Sequence, residues 1–159
     1  MLFNRVATYR PCWLLFRGVS RLSDGVFWYA LMIALALANS DDGLRCALHM
    51  AAAGVLGLLV YRLIKLSTSR PRPFTTLDGI QPGSRPLDEF SFPSGHTLHA
   101  VGFTVVLHAY YPVLALALVP FVVLVALSRL VLGLHYPSDV LAGCLMGAAV
   151  ALLALLIAL

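Results

Sequence analysis

The sequence predicts an all-α membrane protein, a polytopic bundle of about five transmembrane helices with an N-terminal interfacial helix. Three observations predict it. Hydrophobic residues make up 60% of the 159 positions and charged residues 11%, where a soluble domain carries about 25% charged residues. The apolar residues gather in runs long enough to cross a hydrocarbon core of about 30 Å. The mean hydropathy of +0.90 leaves too little polar surface for a water-soluble domain. The length fits one domain, residues 1–159.

Residues 1–25 precede the spans. Arg5, Arg10, Arg17 and Arg21 interrupt their apolar positions, which argues against a cleavable signal. Over residues 11–22, Trp13, Leu14, Leu15, Phe16, Val19 and Leu22 stand against Arg17 and Arg21, a pattern suited to a helix lying in the membrane interface. The first span is residues 26–38, short unless it takes in Asn39 and Ser40. The second, 44–64, contains Gly54 and Gly57, small residues that allow close helix contact. The third, 94–111, ends in the aromatic anchors Tyr110 and Tyr111. The fourth, 113–132, contains Pro120, where a kink is expected. The fifth, 140–159, carries Gly143 and Gly147 on one face. The core is therefore residues 44–159. Most connections are tight, but residues 65–93 form a long loop rich in Pro, Gly and charge, and such loops are commonly functional. Its apolar residues Phe74, Leu77, Ile80, Leu87, Phe90 and Phe92 are expected to dip into the interface beside a lipid entrance.

Counting crossings brings the polar residues together. Spans two and three both place an end at the long loop, and span four returns to that side, so Lys65, Arg72, His96, Arg129, His135 and Asp139 share one membrane face. Ionisable residues at membrane depth are costly and signal function. Lys65, Arg72 and Arg129 offer an ammonium and two guanidinium forks, suited to phosphate oxygens. Interfacial snorkelling would also account for Lys65. Pro93 and Ser94 read as ordinary helix-start chemistry, but Gly95 and His96 do not follow from it. A helix start with free N–H groups accepts anions, and Gly95 lets a phosphate approach the backbone. His135 and Asp139 stand four apart. Either the carboxylate takes the Nδ1 proton and leaves the other ring nitrogen as a nucleophile, or Asp139 caps the fifth helix beside a loop histidine.

The net charge of +4 does not point to nucleic acid, because the basic residues sit at span ends. Anionic lipid head groups are the natural partners, together with the bilayer. Cys12, Cys46 and Cys144 show neither metal-ligand nor disulfide spacing. His96 and His99 lack the further ligands a zinc site wants, and His49 and His108 fall elsewhere, so no metal or cofactor is expected.

The motifs resemble those of the type 2 phosphatidic acid phosphatase superfamily, in its small bacterial membrane branch. The signature has three parts: Lys, six residues, Arg-Pro; then Pro-Ser-Gly-His; then Ser-Arg, five residues, His, three residues, Asp. Here they read KLSTSRPRP from Lys65 to Pro73, PSGH from Pro93 to His96, and SRLVLGLHYPSD from Ser128 to Asp139. The resemblance implies that His135 attacks phosphorus, that Asp139 orients it, and that His96 protonates the leaving oxygen. It assigns Lys65, Arg72, Ser94, Gly95 and Arg129 to the phosphate, with no metal. The substrate it implies is a lipid phosphate, favoured here as an undecaprenyl diphosphate-type lipid. Phosphatidylglycerol phosphate, phosphatidate and lipid A phosphate are alternatives, as is transfer to another acceptor through the same histidine. Retention of His96, His135 and Asp139 disfavours a non-catalytic protein. The resemblance puts the site on the exoplasmic face of a bacterial inner membrane, whereas the N-terminal arginines, read by the positive-inside rule, put it in the cytoplasm. The sequence leaves the oligomeric state open.

Overall fold

The computed structural model describes residues 2–38, 41–80, 82–84, 86 and 88–157. Asn39, Ser40, Leu87 and Leu159, which enter the sequence reading, lie outside them. The described residues form eight helices and no strand: α1 (Leu2–Val6), α2 (Arg10–Leu22), α3 (Val26–Ala36), α4 (Asp41–Thr68), α5 (Pro73–Thr76), α6 (Gly95–Tyr110), α7 (Pro112–Val131) and α8 (Pro137–Leu155). In a bilayer this is the economical solution, because a helix satisfies its backbone groups internally.

Five of these, α3, α4, α6, α7 and α8, occupy the positions of the expected spans. Only α4, α7 and α8 are long and apolar enough to cross a membrane alone. Helices α2 and α3 meet at 47° across a short break and together make a fourth candidate crossing. The interfacial segment corresponds to α2 and the first span to α3, and the two join across this bend. At 16 residues α6 is about 24 Å long. It is the central helix, packed against α4, α7 and α8, so its neighbours rather than its own length embed it. Helix α7 remains one α-helix through Pro120.

The core gathers around Trp28, which meets Phe27, Phe103 and Phe121 at ring-centroid distances of 5.0, 5.3 and 5.9 Å. Met50, Val106, Leu107, Val125 and Ala151 are buried around it. Large apolar side chains such as Leu63, Leu66, Val113, Leu145 and Leu156 face outward, as lipid contact requires.

The closest helix approach is between α6 and α8. A side-chain carbon added at Gly147 would collide with the backbone carbonyl of Leu98, and one at Gly143 would stand 2.7 Å from the Ser94 carbonyl oxygen. Glycine at these two positions lets the α8 start lie against the α6 start, where the Ser94 N–H donates to the Asp139 carbonyl at 3.0 Å. Gly147→Ala is therefore expected to destabilise the protein by about 1–3 kcal/mol through overpacking. Gly18→Ala, which meets nothing within 4 Å, should not lower stability. Thermal unfolding midpoints in detergent check both.

Candidate active site

Four chain segments end at one face of the bundle: the last turn of α4 with Lys65, the start of α6 with Ser94 to His96, the end of α7 with Ser128 and Arg129, and the start of α8 with Asp139. Beyond α7 the chain must turn back sharply, and Gly133 supplies φ +68° there. Leu134 and His135 N–H groups then both donate to the Arg129 carbonyl at 3.1 Å. That turn delivers His135 to the pocket.

The pocket has a volume of about 470 Å³ and is lined by Lys65, Arg72, His96, Arg129 and His135 at its polar end. It continues between α3, α4 and α6 along Met32, Val55, Leu58 and Phe103. The helices thus bring Lys65, Arg72, His96, Arg129 and His135 together at one end of the bundle.

His135 is buried, and its bonding fixes its tautomer. Nδ1 lies 2.6 Å from the Ser91 carbonyl oxygen. A carbonyl only accepts, so Nδ1 carries the hydrogen and Nε2 keeps its lone pair. Nε2 is 3.4 Å from Arg72 Nη1, which donates toward it. Burial lowers the pKa of His135, opposed by the neighbouring Asp139 carboxylate and reinforced by Arg129, Arg72 and Lys65, so the ring is neutral in the ordinary working range. An unprotonated nitrogen in a cationic pocket is the state a nucleophile requires.

Asp139 departs from the simple expectation. Its Oδ2 is 3.7 Å from His135 Nδ1, and the closer partner of that nitrogen is Ser91. Asp139 Oδ2 instead accepts the Tyr136 N–H at 2.8 Å, capping α8, and Oδ1 accepts from Arg70 Nη1 at 2.7 Å. The hydrogen bonds match the capping alternative, with the carboxylate standing beside the imidazole at 3.7 Å without accepting its Nδ1 hydrogen.

The cations are held by the long loop. Lys65 Nζ donates to Asp88 Oδ1 at 2.5 Å and to the Phe90 carbonyl at 2.9 Å. Arg72 donates to Asp88 Oδ1 at 2.8 Å and to the Leu134 carbonyl at 2.8 Å. Arg129 Nη1 donates to Ser20 Oγ of α2. His96 Nε2 pairs with Asp24 Oδ1, from the turn between α2 and α3. Ser94 is the N-cap of α6 without a side-chain cap bond; its Oγ pairs with Thr97 Oγ1 at 3.0 Å. A side-chain carbon added at Gly95 would meet only the Tyr61 ring at 3.7 Å, so protein packing does not itself demand glycine there. His99 bonds the Gly95 and Gly54 carbonyls as a packed helix residue. His49 bonds Tyr110 and the Ile157 carbonyl at the far end of the bundle.

Sequence reasoning missed Ser20, Asp24, Arg70, Asp88 and Ser91. Arg70 and Asp88 are charges in the long loop and could have been flagged as such, but their partners are 69 and 23 or 16 residues away. Ser20 and Asp24 carried no motif signal. The loop aromatics Phe74, Phe90 and Phe92, with Leu77 and Ile80, are half-buried; Leu87 lies outside the described residues.

Asp88 contributes the carboxylate that neutralises Lys65 and Arg72. Burial raises its pKa, but the two cations outweigh that, so the net shift is downward. A carboxylate with a lowered folded pKa stabilises the protein above its unfolded value, and the contribution is lost as pH falls through the folded one. Asp88→Asn should cost about 1–2 kcal/mol at neutral pH, discounted because a third of the carboxylate side chain faces water. The variant should recover more stability than the parent on adding orthophosphate. Unfolding midpoints with and without phosphate measure this.

The comparisons with known proteins agree with this architecture. The family model described as PAP2 superfamily matches residues 43–159. The undecaprenyl-diphosphatase of Bacillus subtilis is 33% identical over 116 residues, 71% of this chain and 58% of that protein, so the chain spans under two thirds of the length of this curated relative. Among solved structures, Aquifex aeolicus LpxE superposes with a TM-score of 0.83 at 25% identity, covering 97% of this chain and 92% of that one. The first transmembrane PAP2-type phosphatidylglycerolphosphate phosphatase from Bacillus subtilis gives a TM-score of 0.72 at 26% identity, covering 94% and 79%. With the matched model spanning most of its length, including every residue from Lys65 to Asp139, the chain belongs to the PAP2 superfamily.

Proposed function

We propose that this protein hydrolyses a membrane lipid phosphate through a phosphohistidine on His135, favouring a lipid diphosphate of the undecaprenyl type, without a metal ion. The observation that carries the reading is the unprotonated Nε2 of His135, fixed by the Ser91 carbonyl, in a pocket with Lys65, Arg72 and Arg129. Nε2 attacks phosphorus, the new N–P bond forms, and the bond to the leaving oxygen breaks. His96 gives that oxygen a proton. Lys65, Arg72, Arg129, Ser94 and the Gly95 backbone hold the phosphoryl oxygens, whose charge rises in the transition state. The ring becomes positive on phosphorylation, and Asp139 at 3.7 Å offsets that charge. Water then cleaves the N–P bond, releasing phosphate and restoring the imidazole. Cations do here what a metal would otherwise do. The apolar continuation of the pocket along α3, α4 and α6 suits an acyl or prenyl chain. The similarity to an undecaprenyl-diphosphatase supports the favoured substrate.

We assign the site to the exoplasmic face of a bacterial inner membrane. The charge asymmetry that argues otherwise weakens once Arg17 and Arg21 are seen to border a cavity beside the site, because a binding role explains them without topology.

Phosphate release from purified lipid phosphates is the direct test. The panel holds a prenyl diphosphate, phosphatidylglycerol phosphate, phosphatidate and lipid A 1-phosphate. Highest release is expected from the diphosphate, and His135→Ala should lose about a thousandfold or more. Undiminished release by that variant would overturn the mechanism. In intact cells an impermeant thiol reagent should label Cys12; protection of Cys12 there, with labelling after permeabilisation, would move the site to the cytoplasmic face.

A further inference from the structure

A second cavity of about 130 Å³ adjoins the catalytic pocket and shares Asp24, His96 and Arg129 with it. Its other walls are Arg17, Ser20 and Arg21 from α2 and Ser84 from the long loop. None of the catalytic steps above uses it.

The cavity is built for an anion. Among the described residues it presents three guanidinium groups against the single carboxylate of Asp24, and that carboxylate is engaged by His96 Nε2. Three buried side-chain polar atoms lack a hydrogen-bond partner among the described residues, and two of them are Arg17 Nε and Arg129 Nε. An unpaired buried donor is costly, and such groups mark a missing acceptor. Arg17 and Arg129 are also held in place, while Arg21 is exposed at the rim: the Arg17 guanidinium lies 4.7 Å over the Trp13 ring, Trp13 Nε1 donates to the Gly83 carbonyl at 3.0 Å, and Arg129 Nη1 donates to Ser20 Oγ. Solvated snorkelling arginines would not be fixed in this way.

Position identifies the anion. His96 lies at the boundary of both cavities. If it protonates the leaving oxygen of a phosphoryl held by Lys65, Arg72 and His135, the group attached to that oxygen enters the second cavity. An anionic pocket occupant at that place is a second phosphoryl. We infer that the cavity under α2 is the subsite for the second phosphoryl group of a lipid diphosphate, and that Arg17 and Arg21 select diphosphates over monophosphates. The inference rests on the phosphatase reading above. In the reaction, the bond between the terminal phosphorus and the bridging oxygen breaks, its electron pair stays with the lipid monophosphate, and the bridging oxygen takes the His96 proton. The guanidinium groups stabilise the leaving group's charge.

The experiment compares a short-chain prenyl diphosphate with the prenyl monophosphate of the same chain, using the full-length protein in detergent. In Arg17→Gln/Arg21→Gln the ratio of kcat/KM, diphosphate over monophosphate, should fall roughly ten- to a hundredfold. Arg10→Gln, on the same helix but away from the cavity, should keep the parent ratio. An unchanged ratio in the double variant, or an equal fall in Arg10→Gln, overturns the subsite. Should the double variant not fold, inhibition of the parent's monophosphate hydrolysis decides: methylenediphosphonate should compete more strongly than methylphosphonate, and equal inhibition overturns the inference. A parent that cleaves the monophosphate but not the diphosphate sinks the subsite and leaves the phosphatase reading intact. A parent that cleaves neither, nor any other lipid phosphate, sinks both.

Discussion

Three buried cations at the membrane boundary are the constraint around which this protein is organised. Lys65, Arg72 and Arg129 are each at most 5% exposed, and a buried charge without a partner is costly. Each therefore dictates where another piece of chain must go. Lys65 and Arg72 draw Asp88 and the backbone of residues 88–90 over the pocket. Arg129 draws Ser20 and with it α2. The long loop and α2 are tied to the site by these bonds, and α2 also packs against α7 through the buried Val19.

The same demand prepares the site for an oxyanion. Asp88 accepts from both Lys65 and Arg72, and its carboxylate is partly exposed. A phosphoryl group with more oxygens and more charge competes for the same donors. The orphaned guanidinium nitrogens of Arg17 and Arg129 extend the cationic field away from His135 toward α2.

The helix scaffold makes that cluster possible. Gly143 and Gly147 let α8 approach α6 at backbone distance, which sets Ser94 against Asp139 and fixes the relative heights of His96 and His135. The positive-φ turn at Gly133 then points His135 inward. A bundle packed by larger residues would separate these starts and disperse the pocket.

The sequence by itself determined the membrane class, the positions of the five main helices and the gathering of Lys65, Arg72, His96, Arg129, His135 and Asp139 on one face, because hydrophobic period and crossing parity are local properties. It also carried the family motifs in full. What only the tertiary structure decided were the partners of those residues. The Ser91 carbonyl rather than Asp139 accepts the hydrogen bond from His135 Nδ1, Asp88 bridges Lys65 and Arg72, and Asp24 meets His96 across 72 residues. The 47° bend between α2 and α3 is likewise a feature of the folded chain. Long-range hydrogen bonds depend on where the chain returns, and no spacing along the sequence encodes that.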